Sequence, residues 1–438
     1  MQEDKKKIYI WTAGCQMNEY DTELVRSILS ATGYLFTEDE ADADVVMLNT
    51  CSVRENAHRK VYGQIHDIRH RRKDKPVLIG ILGCMATGLR KDLIDDKDLG
   101  LDFVVGPDSY KRLPQILQDV TGARGQGYDV TLSEFETYSD IYPTRKGGVN
   151  AWVAVMRGCN NFCSFCIVPF TRGRERSRSV DNVLDEVRRL SDEGFKQVTL
   201  LGQNVNSYRH DGKDFAALLE AVAKVDGIRR IRFTAPHPKD FPESLIRVVA
   251  ENPKVCKQIH LPLQAGNDRV LGLMNRHYTG EEYLRLVGEI RKACPQTALT
   301  TDIIVGFPTE TDAEFEDTVR IMSAVEFDSA FMFKYSPRPN THAARELKDD
   351  VSEDKKTERI VRINALQAEI SLKKNKISVG EVQEILVEEL NKGRSGEAYG
   401  RNDANKIVAL PAGGFTVGDF LKARITRATP HQLKGEIV

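Results

Sequence analysis

Arg157-Gly-Cys-Asn-Asn-Phe-Cys-Ser-Phe-Cys166 is the stretch that organises the chain. Three cysteines, Cys159, Cys163 and Cys166, fall within eight residues, just after the apolar strand candidate Trp152–Met156. A loop at a strand end can fold three thiolates around one centre, and thiolates are soft ligands suited to iron–sulfur clusters or zinc. A closed structural zinc site needs a fourth Cys or His at matching local spacing, and none stands nearby. Three ligands for a 4Fe-4S cluster leave one iron open to a cofactor. The bland alternative is a zinc loop or simply buried thiols.

Downstream, the strand that carries this loop opens a regular series. Strand candidates Gln197–Leu201, Arg230–Thr234, Gln258–Leu261, Thr300–Val305 and Ala330–Lys334 alternate with helical stretches Val180–Glu193, Asp214–Val225, Glu281–Ala293 and Ala313–Val325. Six βα units over residues 151–376 predict a partial barrel, open on one side, with the site at the strand C-terminal ends. The charged stretch Glu353–Lys376 closes it as one long helix. Residues 377–438 change character. Glu381–Val387, Ala398–Asn402, Ile407–Ala409 and Phe420–Thr429 alternate with turns at Gly393, Gly396 and Gly413–Gly414, which predicts a small all-β barrel of the oligonucleotide-binding kind.

Upstream, residues 126–150 form a polar connector with Gly147–Gly148. Before it, residues 7–125 alternate strand candidates Ile8–Thr12, Val45–Asn49, Val77–Leu82 and Phe103–Val105 with helical Tyr20–Ala31 and Asn56–Arg72, which predicts a doubly wound parallel sheet. Cys15, Cys51 and Cys84 each sit two or three residues beyond one of these strands. Parallel strands end along one edge, so three cysteines distant in sequence converge in space. Gly14, Asn18, Asn49, Ser52 and Gly83 beside them allow close backbone approach and hydrogen bonds to sulfur. A second three-cysteine cluster is therefore expected. Cys256 and Cys294 have no partner at ligand spacing and read as structural.

The 438 residues are too many for one core, and 41% hydrophobic with 29% charged residues describes a globular protein rather than a disordered one. No apolar run approaches the ~20 residues of a membrane span, and Met1–Lys7 begins no signal peptide. A cytoplasmic, monomeric protein is expected, with its cysteines kept reduced. Net charge is −1, so any contact with nucleic acid must come from local patches.

The CxxxCxxC spacing, with Phe165 before the last cysteine, resembles the signature of radical S-adenosylmethionine enzymes. With the second cysteine set and the small terminal barrel, nearly the whole chain resembles the methylthiotransferase family. Gly14-Cys-Gln-Met-Asn-Glu-Tyr-Asp21, Cys51-Ser-Val-Arg-Glu-Asn-Ala57, Gln264-Ala-Gly-Asn-Asp-Arg-Val-Leu271 and Ser336-Pro-Arg-Pro-Asn-Thr341 resemble its MiaB branch. The final segment, with Gly400-Arg-Asn-Asp-Ala-Asn-Lys406, resembles a TRAM domain. Ala13 and Asn340-Thr-His342 depart from the family pattern without touching a cysteine.

The resemblance implies two 4Fe-4S clusters, S-adenosylmethionine chelated at the first, and a methylthio group added at C2 of N6-isopentenyladenosine in a tRNA anticodon stem-loop. It also implies two S-adenosylmethionine molecules per product, one for the methyl and one for the radical, and an electron donor such as a flavodoxin or ferredoxin. The rivals are the same chemistry on a ribosomal-protein residue or on threonylcarbamoyladenosine in tRNA, and a non-catalytic iron–sulfur protein that binds RNA.

Candidate cofactor contacts lie at the predicted strand ends: Phe165, Gln203, Asn204, Thr234, Gln264 and Asp302. Each could equally make an ordinary loop hydrogen bond, and His237 and His260 are undecided. Arg172, Arg174, Arg176 and Arg178 form the densest basic run near the cysteine loop and are candidates for RNA phosphates, against a carboxylate-paired loop. Arg401 and Lys406 are the RNA candidates in the terminal barrel.

Overall fold

A computed structural model describes residues 5–51, 55–73, 75–122, 125–392 and 396–438. Residues 52–54 of the Cys51–Ala57 motif and the turn glycine Gly393 lie outside the described residues.

The first unit is a parallel sheet of β1 (Lys7–Ala13), β2 (Leu35–Phe36), β3 (Val45–Thr50), β4 (Leu78–Gly83), β5 (Phe103–Val105) and β6 (Gly127–Asp129), in the order β2-β1-β3-β4-β5-β6. Helix α1 (Gln16–Ala31) follows β1 directly, four residues ahead of its predicted start, and α2 spans Glu55–Arg71. Every residue of β3 is buried, as a central strand covered on both faces requires, and its sequence is nearly unbroken in apolar residues. The two edge strands β2 and β6 are additions to the sequence reading. They hold two and three residues, too few for a periodic signal.

The second unit contains all six predicted strands. β7 (Asn150–Ala154), β10 (Gln197–Leu201) and β13 (Arg230–Phe233) form one parallel set; β14 (Gln258–His260), β15 (Ala298–Val305) and β16 (Ser329–Lys334) form another. A parallel bridge between Ile231 and Val255 joins them into an arc. Met156, the last residue of the predicted first strand, leaves the sheet: with Arg157 it forms β8 (Met156–Arg157), which pairs antiparallel with β9 (Arg176–Ser177) and closes the neck of the cysteine loop. A two-residue pair, β11 (Arg209–His210) and β12 (Lys213–Asp214), lies between β10 and β13. Side chains of β7, β10, β15 and the flanking helices fill one large core.

Helix Glu353–Ile377 leads into a closed barrel of β17 (Val382–Lys392), β18 (Glu397–Arg401), β19 (Ile407–Leu410), β20 (Phe420–Ala428) and β21 (Leu433–Ile437), ordered β17-β18-β19-β21-β20. The sequence reading lacked β21, whose Leu433-Lys-Gly-Glu-Ile437 offers only two apolar positions. This barrel docks on the starting ends of the central strands. Arg230 donates to the Arg401 and Glu384 carbonyls at 2.7 and 2.8 Å, and Arg232 to those of Asp403 and Asn402 at 2.9 and 2.8 Å. It therefore sits at the opposite end of the strands from the cysteine loop. Among the described residues, no helix is long and apolar enough to cross a membrane.

Candidate active site

The cysteine loop leaves β8 through Gly158, whose φ is +79°. A Cβ there would lie 2.0 Å from the Arg174 carbonyl oxygen, so the returning strand admits only glycine. The Cys159 amide donates to the Gly173 carbonyl (3.1 Å) and the Cys166 amide to that of Cys163 (2.9 Å). Phe162 turns the loop at φ +46°, with Asn275 Nδ2 donating to the carbonyls of Asn161 and Phe162. Cys159 and Cys163 are buried and Cys166 is half-buried. Burial pushes the Cys159 thiol up to about 12, and burial together with Cys163 pushes Cys166 up as well. Burial this deep disfavours thiolates, and a cluster that binds thiolates removes that penalty.

Arg276 reaches this group from the β14–β15 connection. Its Nη1 lies 3.4 Å from Cys163 Sγ, and it also donates to the Tyr278 hydroxyl (3.0 Å) and the Pro262 carbonyl (3.0 Å). Its neighbours Asn275 and His277 both stand at φ +57°, in the left-handed region that Asn and His enter more readily than most residues. No sequence signal distinguished Arg276.

Cys15, Cys51 and Cys84 come together at the sheet edge. Cys15 caps α1, Cys51 follows β3, and Cys84 begins α3 (Cys84–Leu89) after β4. A Cβ on Gly14, at φ +146°, would stand 2.6 Å from Cys51 Cβ. Cys15 is exposed, and a hydrogen bond with Cys51 and the charge of Arg172 lower its thiol to about 6. Its Sγ lies 3.2 Å from Asn18 Oδ1, and Asn18 donates to Asn49 at 3.0 Å. Burial raises Cys84, whose Sγ accepts from Arg172 Nε at 3.1 Å.

Arg172 ends the short helix Val168–Arg172, which starts two residues beyond Cys166 and packs on α3. The two thiol sets therefore lie at opposite ends of that helix, Cys166 before its start and Cys84 on its last residue. Arg172 also donates to Asp21 Oδ2 at 2.8 Å, while Arg157, just before Cys159, donates to Asp21 Oδ1 at 2.9 Å. Arg176 makes two 3.0 Å contacts to the Asp108 carboxylate, and Arg178 bonds Glu186 at 2.6 Å. These four arginines are buried.

Three of the phosphate candidates are thus corrected. Arg172, Arg176 and Arg178 are spent on carboxylates in the seam between the first two units, where RNA has no access. Arg174 is exposed, its guanidinium 4.3 Å from the Phe162 ring centre. In the terminal barrel, Arg401 bonds Glu388 at 3.1 Å and Lys406 bonds Asp328 at 2.9 Å, so both engage this chain's own acids.

The strand ends hold a separate polar group. Gln203 Oε1, Asn204 Oδ1, His237 Nε2 and Gln264 Oε1 are buried without a hydrogen-bond partner. A buried polar atom left unpaired costs about 1–3 kcal/mol, so three acceptor oxygens and the His237 Nε2–H in one barrel mouth fit a ligand that brings both donors and an acceptor. Burial and the Arg276 charge hold His237 down at about 2, hence neutral, and its Nδ1 accepts from the Lys239 amide. Phe165 packs at the edge of the core, and the Thr234 amide donates to the Leu200 carbonyl. Asp302 lies 3.3 Å from His260 Nε2, and its main-chain carbonyl accepts from the Gln264 amide at 2.9 Å.

Three family models match the chain: Radical SAM superfamily over residues 153–322, Uncharacterized protein family UPF0004 over 7–106, and TRAM domain over 376–438. The chain is 46% identical over 434 residues to a tRNA-2-methylthio-N(6)-dimethylallyladenosine synthase of Prosthecochloris aestuarii, covering 98% of each. It is 46% identical to the protein of that name from Porphyromonas gingivalis, covering 99% of this chain and 95% of the relative. Among solved structures, the radical S-adenosylmethionine methyltransferase TsrM of Kitasatospora setae superimposes with a TM-score of 0.59 at 16% identity, covering 78% of this chain and 74% of that one. The cobalamin-dependent S-adenosylmethionine radical enzyme OxsB gives 0.55 at 12% identity, covering 82% and 56%. These two show likeness of fold.

Proposed function

The chain belongs to the MiaB-type tRNA methylthiotransferase family of radical S-adenosylmethionine enzymes, and from that premise we propose that it adds a methylthio group to C2 of N6-isopentenyladenosine beside the tRNA anticodon. What carries this function is the pair of thiol sets at the two ends of helix Val168–Arg172. C2 of adenine is an unactivated C–H carbon, so its substitution needs a radical source and a sulfur source close together. Cys159, Cys163 and Cys166 would hold one 4Fe-4S cluster, and Cys15, Cys51 and Cys84 the other. When bound, these clusters and two S-adenosylmethionine molecules supply the radical, the sulfur and the methyl group.

The protein's own residues bind, orient and exclude water. Gln203, Asn204 and Gln264 present acceptor oxygens to the amino and hydroxyl groups of S-adenosylmethionine, and neutral His237, whose Nδ1 lone pair is taken by the Lys239 amide, presents its Nε2–H to the carboxylate. Arg157 and Arg172, locked on Asp21, fix the distance between the thiol sets. The buried seam keeps water from that side of the reacting centre. Substrate RNA, met at an unpaired loop, would deliver a splayed base to the barrel mouth. The electron enters from a donor such as a flavodoxin or ferredoxin.

Two measurements test this. Iron and sulfide content of anaerobically reconstituted protein should fall by about half in Cys15→Ala and in Cys163→Ala, as expected for two four-iron clusters. Mass spectrometry of tRNA nucleosides from a deletion strain should show loss of methylthio-isopentenyladenosine; its persistence would transfer the chemistry to a ribosomal protein or to threonylcarbamoyladenosine. Full modification by Cys163→Ala would instead point to a non-catalytic RNA-binding protein.

A further inference from the structure

Each thiol set receives one buried arginine. Arg172 Nε is 3.1 Å from Cys84 Sγ, and Arg276 Nη1 is 3.4 Å from Cys163 Sγ. Both guanidinium groups are almost fully removed from water. A fixed positive charge and an N–H donor at a ligating sulfur both stabilise the more negative, reduced form of a cluster, which raises its potential.

The two arginines differ in what balances them. Arg172 makes a 2.8 Å ion pair with Asp21, whose other oxygen takes Arg157 at 2.9 Å and whose surroundings include the Tyr110 hydroxyl at 3.3 Å. Arg276 bonds a hydroxyl, a carbonyl and the sulfur, and among the described residues no carboxylate pairs with it. In a low-dielectric setting an adjacent carboxylate cancels much of a neighbouring positive charge. The field at Cys84 is therefore the weaker of the two, although its hydrogen bond is the shorter.

We propose that Arg172 and Arg276 are positioning residues that set the reduction potentials of the two clusters separately, each through one ligating sulfur, with Asp21 attenuating the first. The asymmetry directs an incoming electron toward the cluster at Cys159, Cys163 and Cys166, where it is needed, and away from the cluster that carries sulfur. This inference rests on the proposed cysteine ligation.

The test is an EPR-monitored redox titration of the anaerobically reconstituted full chain, without S-adenosylmethionine. Cys15→Ala and Cys163→Ala proteins, each with one cluster, assign the two signals. Arg172→Gln should move only the auxiliary cluster to more negative potential, and Arg276→Gln only the other. Asp21→Asn should move the auxiliary cluster the opposite way, to more positive potential, because it unmasks the Arg172 charge. A scaffold role alone gives no such reversal of sign. Arg172→Lys, which keeps the charge, should restore most of the shift seen with Gln. Unchanged potentials at full iron content would overturn the proposal, and so would both clusters shifting together. Loss of auxiliary iron in the Gln, Lys and Asn variants alike would overturn it in favour of a purely structural triad. A parent protein with a single cluster would overturn the ligation itself, and that failure appears before any arginine or aspartate is changed.

Discussion

Gly158→Ala should dismantle the cysteine loop while leaving the rest of the protein folded. At φ +79° an alanine pays about 1–2 kcal/mol for the left-handed conformation. Its Cβ would also stand 2.0 Å from the Arg174 oxygen, 2.5 Å from the Arg174 carbonyl carbon and 2.7 Å from the Gly173 oxygen. All three are main-chain atoms, so no side chain can swing aside; the β8–β9 pair must separate, adding about 1–3 kcal/mol of overpacking strain. Separation breaks the 3.1 Å hydrogen bond from Cys159 to Gly173, worth about 1 kcal/mol. The sum, roughly 3–6 kcal/mol, exceeds what a short loop can absorb. Gly148→Ala is the control: its φ is +120°, but nothing lies within 4 Å of the added carbon. The assay is iron content after reconstitution, with the thermal midpoint measured alongside. Gly158→Ala should lose about half its iron, all of it from the signal that Cys163→Ala removes, whereas Gly148→Ala should keep its iron. Full iron and an unshifted midpoint in Gly158→Ala would refute the reasoning.

Three further outcomes follow from particular contacts. His237 is held neutral, far below its ordinary value, so the unfolded chain binds a proton that the folded one refuses. Stability should fall as pH drops below about 6.5, by at most about 1.4 kcal/mol per pH unit from this group. Urea midpoints from pH 7.5 to 5.5 should show a shallower decline in His237→Gln. Arg232→Ala removes two charge-assisted bonds to main-chain carbonyls, at 2.8 and 2.9 Å, and should weaken docking of the terminal barrel by about 3–5 kcal/mol. Hydrogen exchange should then quicken at Arg401–Lys406 and stay unchanged at the cysteine loop. Cys256→Ala should retain its full iron content, because that thiol faces Asp403 in the docking interface; loss of a cluster would show that six cysteines do not account for both.

Much of this architecture was legible because the sheet rule is strong. Parallel strands that end along one edge bring Cys15, Cys51 and Cys84 together although 69 residues separate the first from the last, and no local spacing announces it. The six barrel strands were legible for the same reason, each being a short apolar run between amphipathic helices. The strands missed, β2, β6, β9, β11, β12 and β21, carry two to five residues each, and pairing with neighbours already in place decides them. The arginine run was legible as charge and misleading as to partner. Arg172 and Arg176 meet Asp21 and Asp108, which lie 151 and 68 residues away. Asp21 stands six residues beyond Cys15, and nothing local in the sequence marks it as the partner of two arginines.

The burial of those arginines bears on why the seam exists. Taking a guanidinium and a carboxylate out of water costs several kcal/mol per ion, and well-packed apolar side chains of similar volume would often serve stability equally or better. Arg157 and Arg172 share one carboxylate, which leaves Arg157 Nη1 and Arg172 Nη1 without partners and makes the arrangement dearer still. Stability alone therefore gives a weak account of this cluster of charge. Its position gives a stronger one: the two arginines flank the Cys159–Cys166 loop in sequence, and the aspartate sits six residues beyond Cys15 on α1. Apolar packing would hold the two units together, but it would not fix the rotation of one thiol set against the other. Directional bonds from both ends of the loop to the two oxygens of one carboxylate do fix it, and they place a guanidinium on Cys84 in the same stroke.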